Sequence, residues 1–161
     1  MRKKWFWITA AAVVILSVFC YRFYIGIHAG HWMEEDRAVL TAYEQTALAS
    51  AKKVEAFFGE ESFMIVHGAD KLGEEMIVWV GEQTVHAEYA KNGFSRERLL
   101  SSWQSADPSK ELLRIMPGKI GNRYVWELYY KKPEDGKENY YYDYFDFYDG
   151  SWLDTYRLTL R

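Results

Sequence analysis

The chain has 161 residues, with 20 Lys and Arg against 23 Asp and Glu, a formal net charge of −3, and a single cysteine. One cysteine excludes a disulfide framework, so stability has to come from buried side chains, and an aromatic content of 18% supplies them. Without a basic run, the chain lacks the electrostatic footprint that nucleic-acid binding needs.

The first segment is the most directive. Met1-Arg2-Lys3-Lys4 precedes an apolar run over 5–27 that is broken only by Arg22. As a helix this run is roughly 34 Å long at ~1.5 Å per residue, enough for one tilted transmembrane span. Arg22 lies near its far end, where a long stem lifts the guanidinium toward the head groups. Cations precede the span and Glu34, Glu35 and Asp36 follow it, so residues 1–4 are expected in the cytoplasm and the remainder outside it. A cleaved signal peptide has the same basic-then-apolar signature. Its best cleavage site is Ile27-His28-Ala29, but bulky Phe19, Tyr21, Phe23 and Tyr24 crowd the approach. Cys20 follows Phe19 inside the run, which suits a bilayer-facing side chain rather than an acylated one. Removing Arg2, Lys3, Lys4 and Arg22 from the count leaves 28–161 acidic and without cysteine.

Residues 31–51 are rich in helix formers, with Val39, Ala42, Tyr43, Thr46 and Ala47 at helical spacing. This predicts one helix with a thin apolar stripe, a stalk continuing outward from the membrane. The period then changes. Runs at 53–58, 63–67 and 76–80, rich in Val, Ile, Phe and Trp and separated by Gly-containing breaks, predict antiparallel strands, with a fourth at 86–91. Ser95 is a natural N-cap for a helix over 96–106, with Leu99, Leu100, Trp103 and Ala106 on one face and Asp107-Pro108 ending it. Strands follow at 111–116, 123–131, 139–148 and, across the Asp149-Gly150 turn, 152–160. In the second of these Tyr124, Trp126, Leu128 and Tyr130 share one face, and Val125, Glu127 and Tyr129 the other. In the last, Trp152, Tyr156, Leu158 and Leu160 select one parity, which predicts a buried face. The order helix, strands, helix, strands makes the fold α+β, a small helix-on-sheet unit used twice, over 28–93 and 94–161. Each copy needs the other's surface, since roughly 55 residues bury too little alone.

Chemistry is harder to find. Asp143, Asp146 and Asp149 before Gly150 suggest a carboxylate cluster, but Asp143 and Asp149 on one strand lie roughly 20 Å apart at ~3.3 Å per residue. A solvated strand face and a turn-forming Asp-Gly account for them better. His28 and His31, with Glu34 and Glu35, have no ligand spacing specific to zinc and sit where interfacial residues belong. No serine lies in a nucleophile elbow and no glycine loop resembles a phosphate cradle. No catalytic residue, cofactor or metal is therefore expected. Over 140–148 the aromatics outnumber what one sheet face buries, so Tyr140, Tyr142, Tyr144 and Tyr148 are candidates for a partner or glycan contact. The alternative is that the fold itself covers both faces of that strand.

Two groups of residues carry a family resemblance. The first is Val54-Glu55-Ala56-Phe57-Phe58-Gly59, Phe63-Met64-Ile65-Val66-His67-Gly68-Ala69-Asp70 and Ile77-Val78-Trp79-Val80. The second is Trp126-Glu127-Leu128-Tyr129-Tyr130, Tyr141-Tyr142-Asp143-Tyr144 and Asp149-Gly150. Together they resemble the YpmB, or TseB-like, proteins of Bacillus-type bacteria. The resemblance implies two tandem cystatin-like (PepSY-like) units, each a helix packed on an antiparallel sheet, after one N-terminal transmembrane helix. It further implies a membrane-anchored, extracytoplasmic, non-enzymatic regulator of cell-wall elongation. The implied partner is a penicillin-binding protein, a monofunctional transpeptidase, with peptidoglycan as a further contact and the lipid bilayer met through 5–27. A PepSY-type modulator or inhibitor of an exported protease is the alternative.

Overall fold

In a computed structural model, residues 2–134 and 136–158 are described, with the side chains of 2–12 and 23–32 excepted. The chain divides into two compact units, Met1–Arg37 and Ala38–Arg161. Helix α1 spans Arg2–Gln45. Strands β1 (Leu48–Phe58), β2 (Ser62–Asp70), β3 (Glu75–Val80) and β4 (Val85–Tyr89) follow. A single 3-10 turn over Ala90–Asn92 leads to α2 (Arg96–Ala106). Strands β5 (Glu111–Ile120), β6 (Arg123–Glu134), β7 (Lys137–Asp146) and β8 (Trp152–Leu158) complete the chain. Each set of four strands is its own antiparallel sheet in sequential order, so the expected repeat of helix and meander is present.

The helix expected over 5–27 is helical backbone throughout. The membrane span expected there is not supported: among the described residues no helix is long and apolar enough to cross a membrane. The side chains of 5–12 and 23–27 lie outside the described residues, and 13–22 alone extend only about 15 Å.

The helix expected to run to residue 51 stops at Gln45, and β1 begins at Leu48. Thr46 turns the chain: its hydroxyl donates to the Ala42 carbonyl at 2.6 Å and accepts from the Leu48 amide at 3.1 Å. Residues 48–51 then gain ladder bonds against Gly68, Ala69 and Asp70, a long-range pairing that outweighs local helix propensity. Nor is the stripe weak. Ala38 and Ala42 are fully buried and, with Leu48, Val66, Met76, Val78 and Val80, form one core on the outer face of the first sheet. Small residues let the last turns of α1 lie close to the strands.

The inner faces of both sheets, with Leu99 and Trp103 of α2, share the larger core. From β2 and β3 come Phe63, Ile65, Ile77 and Trp79; from β6 come Trp126, Leu128 and Tyr130. Strand β3 is therefore covered on both faces, which is why it reads as an uninterrupted apolar run. The expected buried parity of β6 is the observed one. The Trp79 indole N–H donates across to the Gly118 carbonyl at 3.1 Å. A Cβ at Gly118 would sit 2.3 Å from the Phe57 ring, so only glycine allows that closeness. Beyond the expected 111–116, β5 continues through Pro117, which an edge strand tolerates.

The last strand departs from expectation. Trp152 is 61% and Tyr156 57% exposed, and β8 is the sheet's edge. The core it was expected to cover is already filled by α2 and the inner residues of β6 and β7. Thr159 and Leu160, part of that expectation, lie outside the described residues.

Candidate functional site

Pairing of β6, β7 and β8 places Glu127 opposite Tyr144, Tyr129 opposite Tyr142, and Tyr142 opposite Tyr156. Because residues directly opposite point to the same side, these side chains share the face of the second sheet away from the core, with Tyr140 two positions along. The first sheet has α1 on its corresponding face; here tyrosines form the surface. Their rings stack in sequence: Tyr140 on Tyr129 at 6.0 Å, Tyr129 on Tyr142 at 4.8 Å and Tyr142 on Tyr144 at 6.3 Å between centroids. Tyr156 meets Tyr144 edge-on at 5.8 Å. Ring faces are thus consumed by neighbouring rings, and hydroxyls and ring edges are what the surface presents.

One carboxylate anchors this face. Glu127 is 4% exposed, accepts from the Arg114 guanidinium at 2.8 Å and from the Tyr144 hydroxyl at 3.1 Å. Burial and then the Glu127 charge hold the Tyr144 phenol well above its ordinary value, and the same causes raise Tyr142. Both are neutral donors at any physiological pH. The result is an array of neutral phenols flanked by two cations, half-exposed Arg114 and, opposite Tyr140, Lys131 paired with Glu111 and Glu138.

Of the four expected contact residues, the structure brings together Tyr140, Tyr142 and Tyr144. Tyr148 lies elsewhere: past the end of β7 its hydroxyl donates to Glu88 of β4 at 3.1 Å, and burial followed by that carboxylate pushes it up to about 12. Sequence reasoning missed Tyr129, Tyr156, Arg114 and Glu127 as members of the face. Tyr129 and Glu127 were legible as sharing a side of β6; what was lacking was the register that sets that side beside the even-numbered tyrosines of β7.

Asp143 is not on a solvated face. It is 2% exposed and points inward, opposite Leu128. Its carboxylate accepts from the Trp103 indole at 2.8 Å, Lys110 at 3.0 Å, Tyr130 at 3.1 Å and Thr155 at 2.6 Å. Asp146 and Asp149 instead accept from backbone amides of the turn, including Tyr148 at 2.9 Å and Ser151 at 2.7 Å. Four donors on Asp143 make it a structural hub, and the three aspartates serve three separate places. Among the described residues no group of three or more His, Cys, Asp or Glu gathers where one ion fits. The side chains of His28 and His31 lie outside the described residues.

Comparison with known proteins meets this geometry at several points. Residues 37–81, from the last turns of α1 through β3, match the family model of the cell wall elongation regulator TseB-like domain. The probable cell wall elongation regulator TseB of Bacillus subtilis (strain 168) is 28% identical over 163 residues, spanning 95% of this chain and 97% of that one. The solved structure of the YpmB protein from Bacillus subtilis superposes with a TM-score of 0.67 at 27% identity, covering 77% of this chain and 97% of that one. The chain is similar to the TseB/YpmB-like proteins along nearly its whole length. The match to the family model ends within the first sheet, whereas the tyrosine face lies wholly in the second.

Proposed function

We propose that this TseB/YpmB-like chain is a membrane-anchored, extracytoplasmic regulator of cell-wall elongation that acts by binding a penicillin-binding transpeptidase, with the tyrosine face of the second sheet as its contact surface. The observation that carries the reading is likeness along nearly the whole chain to a probable cell wall elongation regulator. The match to the family model supports the regulatory role in the same sense.

The anchor and the contact surface rest on the chain's own chemistry. Val13, Val14, Ile15, Leu16, Val18 and Phe19 are exposed along α1, an arrangement that water penalises and lipid does not. Residues 5–27 serve as the span, cations inside. Tethering two proteins to one membrane raises their effective concentration, so a modest contact suffices for occupancy. A tyrosine array whose rings are already locked by stacking loses little side-chain entropy on binding, which suits such a contact. Affinity capture of the full-length chain from membranes, with identification of co-purifying proteins, is expected to recover a monofunctional transpeptidase, and deletion to alter cell width. Capture without any penicillin-binding protein, together with unchanged cell shape, overturns the reading.

A further inference from the structure

The shared core does not fill the whole space between the sheets. Along the inner faces of β1, β2 and β3 the residues run Phe57 and Phe63 at one end, then Glu55, Ile65 and Trp79, then Lys53, His67 and Ile77, with Glu75 one step beyond, opposite Ala69. Where aromatic residues give way to charged ones the sheets part, leaving a cleft of about 470 Å³ floored by Ile115 and Trp126, with the first turn of α2 at its mouth. A volume in this range suits a small molecule or a few residues of peptide rather than a folded partner.

The charges around it are mixed and unevenly paired. Lys53 meets Glu55 at 2.8 Å, and Lys52 meets Glu75 at 3.4 Å with both side chains largely exposed. The His67 Nε2 is shut from solvent and lies 3.0 Å from a Glu55 oxygen, so that carboxylate faces both Lys53 and the imidazole. Arg96, exposed at the first position of α2, lines the same cleft beside Glu97, whose carboxylate feels its charge without an ion-pair contact among the described residues. A guanidinium beside an apolar floor, facing carboxylates across the opening, complements a ligand with a charge of each sign and an apolar body between them.

We propose that this cleft binds a short zwitterionic peptide, its free carboxylate on Arg96, its free ammonium toward Glu75 and Glu55, and its apolar side chains on Ile115 and Trp126. The site is separate from the tyrosine face and does not depend on the transpeptidase reading. Such peptides come from two sources, the stem peptides of the wall and ordinary linear peptides, which differ in stereochemistry.

The test is an NMR titration of the full chain in detergent micelles, reading the Trp126 indole and the Ser95 to Glu97 amides. One probe is the mixture of soluble stem peptides released from purified peptidoglycan; the other is the all-L peptide Ala-Glu-Lys-Ala, also in N-acetylated and C-amidated forms. The expected result is saturable shifts at those signals with at least one probe, and the probe that binds names the source. Arg96→Ala is expected to weaken binding about tenfold or more, the loss of one charge-assisted contact. For the linear probe, blocking either terminus is expected to weaken it comparably. Because Arg96 is exposed, an unchanged amide spectrum elsewhere shows that the variant is folded. Absence of shifts with both probes at millimolar concentration, or binding indifferent to Arg96→Ala, overturns the proposal.

Discussion

Asp143 offers the sharpest quantitative test of the packing described above, because one buried carboxylate organises four donors from three elements and one connecting position. Replacing it with Ala leaves the Trp103 indole, the Tyr130 and Thr155 hydroxyls and the largely buried Lys110 ammonium without their acceptor. An uncompensated buried charge costs about 3–5 kcal/mol, and this dominates the loss. Asp143→Asn is gentler. Its amide can turn its oxygen toward Trp103 and Lys110 and its NH2 toward the two hydroxyls, which rotate to accept. The charge is lost but the bonds are largely kept, so about 1.5–3 kcal/mol is expected. Lys110 also lies 5.1 Å from the Trp103 ring and 4.8 Å from the Tyr130 ring, so the cation has a second, weaker source of support. Removing it together with the carboxylate, as in Asp143→Asn with Lys110→Met, is expected to recover at least about 1 kcal/mol relative to the sum of the two single changes. Urea unfolding followed by tryptophan fluorescence measures the parent and all four variants, Lys110→Met alone included. An Ala variant within about 1 kcal/mol of the parent, or Ala and Asn variants of equal cost, refutes the hub.

Two further perturbations address the rest of the fold. Burial, joined by Lys53 and Arg96, depresses the His67 imidazole below 6.5 despite the opposing pull of Glu55. The unfolded chain therefore binds more protons than the folded one below that value, so this contribution is complete above it and is lost as pH falls through the folded pKa. The urea midpoint is expected to drop between about pH 7.5 and 5.5, and His67→Gln to flatten that slope; an equal slope in the variant refutes the assignment. Gly118→Ala places a Cβ inside the contact radius of Phe57, itself 2% exposed and unable to retreat, and is expected to cost about 1–3 kcal/mol by overpacking; a neutral result shows the two sheets less closely joined there.

What the sequence made legible follows from the range of the interactions. The Ser95 cap and the alternation of Tyr124, Trp126, Leu128 and Tyr130 are local signals, and helix α2 and the buried side of β6 stand where they point. Residues 46–51 carry a local helical signal, but their fate is decided by partners on β2 that no local pattern reveals. Asp143 misleads for a related reason. In an alternating strand a carboxylate ordinarily marks the wet side, and only the fold brings Trp103, Lys110, Tyr130 and Thr155 to meet it. The tyrosine face is intermediate: the parity of Tyr140, Tyr142 and Tyr144 is local, whereas Tyr129 and Tyr156 join them through register. Tyr148 drops out because the chain turns after Asp146, where Asp146 and Asp149 accept backbone amides.

The central claim is that the second sheet's tyrosine face meets a transpeptidase at the membrane. A photo-crosslinking residue placed at Tyr142 in living cells, with a second at Leu72 on an exposed turn of the first sheet as control, tests it most directly. The account predicts that the Tyr142 position captures a penicillin-binding transpeptidase and that the Leu72 position does not. Capture from both positions alike, or from Leu72 alone, contradicts it.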